Sequence, residues 1–187
     1  PLGFDLAGEK FLFFGRQGRD LAALYAYNPA TATVEGPLLQ SEECDLDRAV
    51  FSPYDRQVVG VRIDEGLGRV VWLHPELQKI APTVDQALPG CRNIFVGWGR
   101  DFRRLLVHSA APAEPARYFL FDRDKNSISE IYRPADWLAG FAMGAPEAFS
   151  LTARDGVRLH GFFTRPPGAP AGRPLQRTSD LPGFWRG

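Results

Sequence analysis

Seven serines, three histidines and 22 carboxylate side chains stand in the 187-residue chain, so nucleophilic acyl transfer is the first chemistry to look for. That chemistry needs a serine on a sharp turn, an imidazole in reach to take its proton, and an acid to orient the imidazole. Its commonest strand-turn-helix form is marked by Gly-x-Ser-x-Gly. Ser41, Ser52, Ser109, Ser127, Ser129, Ser150 and Ser179 all lack those glycines, and no spacing singles out a Ser/His/Asp trio. His108 is expected at a strand end, where a solvent-bonded imidazole outweighs a pocket role. His74 falls at a His-Pro turn and His160 in a hairpin, and both are expected at the surface.

Metal and anion chemistry find little more. The histidines have no second donor at ligand spacing, and Cys44 and Cys91 are too far apart for a Cys-x-x-Cys site. Gly66-x-Gly68 and Gly97-x-Gly99 lack the third glycine and following helix of a phosphate loop, and read as turns or strand-end spacing. Arg100, Arg103 and Arg104 surround Phe102, and Glu42, Glu43, Asp45 and Asp47 cluster in a connection; each group reads as a solvated loop. No catalytic, cofactor-binding or metal residue is therefore assigned, and the substrate-binding residues stay open.

Lys+Arg and Asp+Glu are equal at 22, so no net field draws nucleic acid or an anionic membrane. No apolar run approaches the ~20 residues of a membrane span, and the opening PLGFDLAGEK lacks the basic start and apolar middle of a signal peptide. The compartment stays undecided. Nineteen glycines and 16 prolines beside 14 phenylalanines point to many turns between short aromatic-rich strands, an all-β protein.

The elements that would position any site repeat. Phe4, Phe51 and Trp98 are 47 residues apart, and each is followed seven residues later by an apolar run, from Phe11, Val58 and Leu105. The copies read FDLAGEKFLFF, FSPYDRQVVGV and WGRDFRRLLVH. A third strand follows at LYAY, VVWL and YFLF, and a fourth is expected around Val34, Ile80 and Ile128. Four short strands per ~40–50 residues, joined as a meander, are the signature of a β-propeller blade. Three blades, about 1–43, 44–90 and 91–133, form an arc and not a ring, the first lacking most of its first strand. Apolar faces at Phe13, Val59 or Leu106 would then stay open and invite self-association. Cys44 and Cys91, also 47 apart, occupy equivalent places and read as buried or half-buried apolar residues. At the aromatic strand end, Trp98 reads as core filler.

The period breaks after residue 133. Residues 134–148 read as a linker with one helical turn around Trp137 to Phe141, and SLTARDGVRLHGFF places a hairpin outside the repeat. The repeats, the hairpin from Ala153 to Phe163 with Arg154, Asp155, Gly156 and Gly161, and the Pro/Gly-rich segment from Pro166 to Pro174 resemble the prolyl oligopeptidase family of serine peptidases, its dipeptidyl and acylaminoacyl branches above all.

The resemblance implies a propeller preceding an α/β-hydrolase domain, with residues 149–170 as the hairpin and Pro-rich entry to it. It implies that the propeller gates the active site and selects short peptides, and that the nucleophile and triad belong to the hydrolase, which is missing from this chain. Dipeptidyl members hold the substrate amine with propeller glutamates in an aromatic setting; Gln40 and Ser41 precede the acidic cluster here, so that role does not carry over. QRTSDLPGFWRG, within the divergent tail 171–187, stands where the family has an apolar strand ending in His-Gly-Gly-Pro. A truncated gene, a shifted frame or a cloning tail is the expected cause. The chain is thus expected to be a non-catalytic partial propeller that needs no cofactor. The rival is a TolB-like propeller that binds proteins, which leaves the hairpin without a role.

Overall fold

Apolar and β-branched residues arranged in short runs, each closed by turn formers, favour extended backbone packed into sheets. In a computed structural model, which describes residues 2–66 and 68–168, the three copies become three separate antiparallel sheets. The first is β1 (Gly3–Phe4), β2 (Phe11–Gly15), β3 (Ala23–Asn28) and β4 (Thr33–Leu39). The second is β5 (Arg48–Phe51), β6 (Val58–Ile63) and β7 (Arg69–Trp72), and the third is β8 (Arg92–Trp98), β9 (Arg104–Ala110), β10 (Arg117–Asp122) and β11 (Ser127–Tyr132). Strands neighbour one another in chain order and no sheet closes, so the chain is all-β. Phe4, Phe51 and Trp98 each end the first strand of their sheet.

The turn after each aromatic is held by a short polar side chain. Asp5 accepts from the Glu9 and Lys10 amides at 2.9 and 3.2 Å, Asp55 from Gln57 at 3.3 Å, and Asp101 from Arg103 at 3.1 Å. These Asx-type contacts stand in for the ladder bonds that a turn lacks.

The second sheet departs from the expected pattern. Around Ile80 there is no strand: Pro75–Ala87 is a helix, α1. His74 caps it by accepting from the Glu76 amide at 3.2 Å, Pro75 occupies the first turn where its missing N–H costs nothing, and Glu76 places a carboxylate at the positive end. Leu77, Ile80 and Val84, spaced three and four apart, are its buried stripe. Pro82, which removes the hydrogen bond to the Gln78 carbonyl, is tolerated because that stripe is anchored on both sides of it. Glu76 also bonds Arg123 at 2.8 Å, tying α1 to the turn after β10.

Two apolar clusters flank the second sheet. On one side Val58, Val61 and Ile63 pack with Leu12, Leu24 and Leu46; on the other Val59 and Trp72 pack with α1 and with Phe95, Leu105, Val107, Phe119 and Phe121. Strict alternation would put Val59 with Val61. The register shifts between Val50 and Phe51, where Phe51 pairs with Val58 and Val50 with Gly60, so Val59 is the extra residue of a bulge and faces the third sheet. Val59, expected on an open face, is therefore buried, whereas Phe13 and Leu106 are half-buried. Gly60 lies beneath Trp72: a Cβ there would meet the indole at 2.9 Å.

Beyond the third sheet, a 3₁₀ turn at Asp136–Leu138 precedes a two-stranded sheet of β12 (Pro146–Thr152) and β13 (Arg158–Thr164). β12 takes in Pro146–Ala148, residues expected in the connection. Gly156, at φ +86°, makes the turn. The divergent tail 171–187 and most of the Pro/Gly segment fall outside the described residues.

Candidate functional site

One end of the second and third sheets gathers a serine, an aspartate and a histidine. The loop after β5 brings Ser52, Tyr54 and Asp55, the loop after β8 brings Phe102, and α1 brings His74, around a pocket of about 160 Å³ closed by Trp98. His74 and Phe102 rings lie 4.7 Å apart, and Trp98 stacks on Phe102 at 6.4 Å and 15°. The Tyr54 hydroxyl donates to the Trp98 carbonyl, and the Arg100 guanidinium sits 4.4 Å over the Tyr54 ring.

The donors and acceptors of this trio point the wrong way for acyl transfer. A catalytic imidazole donates from Nδ1 to its acid and takes the serine proton at Nε2. His74 Nδ1 instead accepts the Glu76 amide proton as the cap of α1. The Ser52 hydroxyl is hydrogen-bonded to Asp55, whose carboxyl this bond, helped by the Gln57 amide, holds below the usual carboxylate range. Ser52 Oγ also accepts from the Tyr54 amide at 3.3 Å. The pocket is a joint between loops.

The other serines are likewise placed in structure. Ser41 donates to Glu65 and accepts from the Glu43 and Cys44 amides at 3.0 Å; Ser109 is buried in β9; Ser127 and Ser129 lie in β11, and Ser150 in β12. Ser179 lies outside the described residues. His74, expected at the surface, is half-buried as a cap. His108 stands inside β9 and not at a strand end, half-buried against Tyr118 with ring centroids 5.0 Å apart. Burial first, then Arg92 and Arg62, push its pKa below the usual histidine value. His160 is exposed in β13.

The loop readings survive as local chemistry. Asp45 accepts from the Ala22 amide at 2.6 Å and faces Arg16 at 3.3 Å, so one acid of the cluster pins the connection between the first two sheets. Arg103 pairs with Asp101 and Asp124, and Arg104 with Asp122. Gly66 and Gly68 turn β6 into β7 with positive φ, and Gly97 sits at a shift of the β8–β9 register. Both cysteines are free and half-buried. Among the described residues no three His, Cys, Asp or Glu side chains group as for a metal ion.

At the opposite end a cluster forms that residue spacing did not single out. Asp64, just after β6, receives Arg62 Nε at 2.7 Å, and Arg48, opening β5, approaches it at 3.7 Å. A Cβ on Gly68 would meet both the Arg92 guanidinium and Asp64, at 3.2 and 3.3 Å, so Arg92, opening β8, shares this corner. The one signal in the sequence was Arg62, a lone charge inside the apolar run VVGVRI. The adjoining turn, Asp64 to Gly66, walls a cavity of about 420 Å³ whose other side is the β12–β13 hairpin.

The hairpin itself is two-sided. Phe149, Leu151, Leu159 and Phe163 share one face by register, and all are between 40% and 47% exposed. Phe149 lies over Gly161, where a Cβ would stand 2.8 Å from its ring.

No family profile matches the chain. It is 22% identical over 182 residues to dipeptidyl aminopeptidase BIII of Pseudoxanthomonas mexicana, a match that covers 97% of this chain and 26% of that protein. The chain thus spans about a quarter of the length of its curated relative.

Proposed function

We propose that this chain is a non-catalytic part of a prolyl oligopeptidase-like serine peptidase: three successive propeller blades and the first hairpin of an α/β-hydrolase domain, with the blades gating and selecting short peptide substrates. The similarity to a dipeptidyl aminopeptidase along nearly the whole chain supports a peptidase-related origin. The observation that carries the reading is the hairpin. Two strands alone are marginal in water, and this pair keeps an apolar face of Phe149, Leu151, Leu159 and Phe163 that stays 40–47% exposed. Such a face belongs against a further layer of the same protein, and a hydrolase domain supplies one. A propeller that only binds proteins has no use for it.

In this reading the nucleophile lies outside the chain, consistent with Ser52 being bonded to Asp55 and His74 being turned to a helix cap. A fluorophosphonate probe and dipeptidyl chromogenic substrates test it. A polypeptide extended through the flanking coding sequence should be labelled and active, and the 187-residue chain should be neither. Specific labelling of the short chain, or an extended polypeptide that is folded but unlabelled, overturns the reading.

A further inference from the structure

We propose that the groove between the first and second sheets binds a small aromatic carboxylate, its ring held by Phe4, Phe11 and Phe51 and its anionic head by Arg56. The groove holds about 630 Å³, within the range of a small-molecule site. Leu2, Phe4, Phe11, Phe51 and Pro53 give it apolar walls. Phe4 and Phe51 keep 40% and 42% of their surface exposed, so a flat ring that enters finds aromatic faces and edges still to be covered. Burial of that surface drives entry, and the ring pairs set the orientation.

The polar lining fixes the head group. Among the described residues that line the groove, Arg56 is the one charged residue. It is exposed, and its guanidinium makes no hydrogen bond or ion pair with a described residue. The neighbouring Asp55 is taken up by Ser52 and by the Gln57 amide, and the positive charge that acts on it is that of Arg100. A planar guanidinium with its donors uncommitted takes a carboxylate through two parallel bonds. Ser52, the other polar side chain in the lining, already accepts from the Tyr54 amide at 3.3 Å and bonds Asp55. The lining side chains thus offer no further donor or acceptor for the amides of a peptide, and the fit is to a ligand whose polarity is confined to one anionic end.

The walls are set before any ligand arrives. The Ser52 amide donates to the Gln57 carbonyl at 2.8 Å and closes the loop on itself. Gln57 Nε2 then donates to the Leu6 carbonyl at 3.2 Å, and Gln57 forms a parallel bridge with Phe4, so the loop that carries Arg56 is tied to the sheet that carries Phe4 and Phe11. A preformed groove lowers the ordering cost of binding.

The test is an NMR titration of the 187-residue chain with 3-phenylpropionate, 3-phenylpropionamide, octanoate and glycylphenylalanine. The aromatic acid should shift the amides of Gly3, Phe4, Phe51 and Arg56 saturably, with affinity falling as salt rises. Its amide should bind about tenfold more weakly, the loss of one charge-assisted hydrogen bond. Arg56→Gly should bring the acid to the level of the amide and leave the amide unchanged; glycine adopts the φ of +58° at this position freely, so the fold is spared. Phe51→Ala should weaken acid and amide alike by about tenfold, and where circular dichroism shows that it fails to fold, Arg56→Gly carries the test. Absence of saturable shifts, equal binding of acid and amide, or an unaltered Arg56→Gly overturns the site. Octanoate bound as tightly as the aromatic acid overturns the aromatic assignment, and glycylphenylalanine bound more tightly overturns the free acid as ligand. Loss of binding in the polypeptide extended through the flanking coding sequence would show the groove filled, and overturns the site as well. The proposal does not rest on the peptidase reading, and none of these outcomes bears on probe labelling.

Discussion

The two clefts that separate the three sheets start from the same repeat position and end differently. Between the first and second sheets, Phe4 and Phe51 stay 40% and 42% exposed and border an apolar groove of about 630 Å³ with Phe11 and Pro53. Between the second and third, Trp98 is half-buried on Trp72 and Phe102, and only about 160 Å³ is left. The difference is α1. A helix in the fourth-strand position of the second sheet carries His74 onto Phe102 and three apolar side chains onto the third sheet, where a strand would have carried its alternate residues to solvent. A repeat determines where an aromatic stands, and its neighbours decide whether it is core or surface.

Substitutions can break that contrast. The largest effect is expected from Trp72→Ala, which empties the filled cleft: about 3–5 kcal/mol of stability should go, read by chemical denaturation. Gly60→Ala pushes a methyl to 2.9 Å from the same indole and should cost about 1–3 kcal/mol, since neighbouring Val70, at 3.1 Å, leaves the ring no room to yield. His74→Ala removes the cap that distinguishes the two clefts and should cost about 1 kcal/mol with some loss of helical dichroism, which His74→Asn restores. At the open cleft Phe51→Ala should change stability by less than about 1 kcal/mol, because most of the transfer gain of a half-exposed ring is unrealised. A Phe51→Ala as costly as Trp72→Ala would show that the groove is closed in solution.

The smallest effect is titration. His108 has a folded pKa below its unfolded value, so the unfolded chain takes up the proton first as pH falls. Its share of stability is whole above the ordinary histidine range and is lost as pH drops through that value towards the lower folded one. Asp55 works in the same direction at lower pH: its depressed carboxyl stabilises the fold above the carboxylate range and ceases to as pH falls through it. Denaturant midpoints against pH should show two shallow steps, and His108→Gln should flatten the upper one only.

Much of this fold was legible because period and turn chemistry are local. The aromatic strand ends, the second and third strands of every copy, and the hairpin at Asp155-Gly156 stand where the spacing places them. The helix was not, because Pro75 and Pro82 read as punctuation, although Pro75 suits a first helical turn and Leu77, Ile80 and Val84 already show helical spacing. Val59 was misplaced because a bulge changes the parity of a strand without marking its sequence. The arginine corner was illegible for a third reason: strand register sets Arg48 of β5 opposite Arg62 of β6 beside Asp64, and the stacking of the third sheet beside the second adds Arg92 of β8.

The bulge at Val58 and Val59 has a dynamic consequence. Consecutive residues of one strand face two different clusters, so β6 cannot open towards one side without loosening the other. In a linear stack, where each unit is coupled only to its neighbours, that makes the middle unit the last to melt and the outer strands free to fray alone. Amide hydrogens of β6 should exchange only through global unfolding, and those of β4 and β11 far sooner.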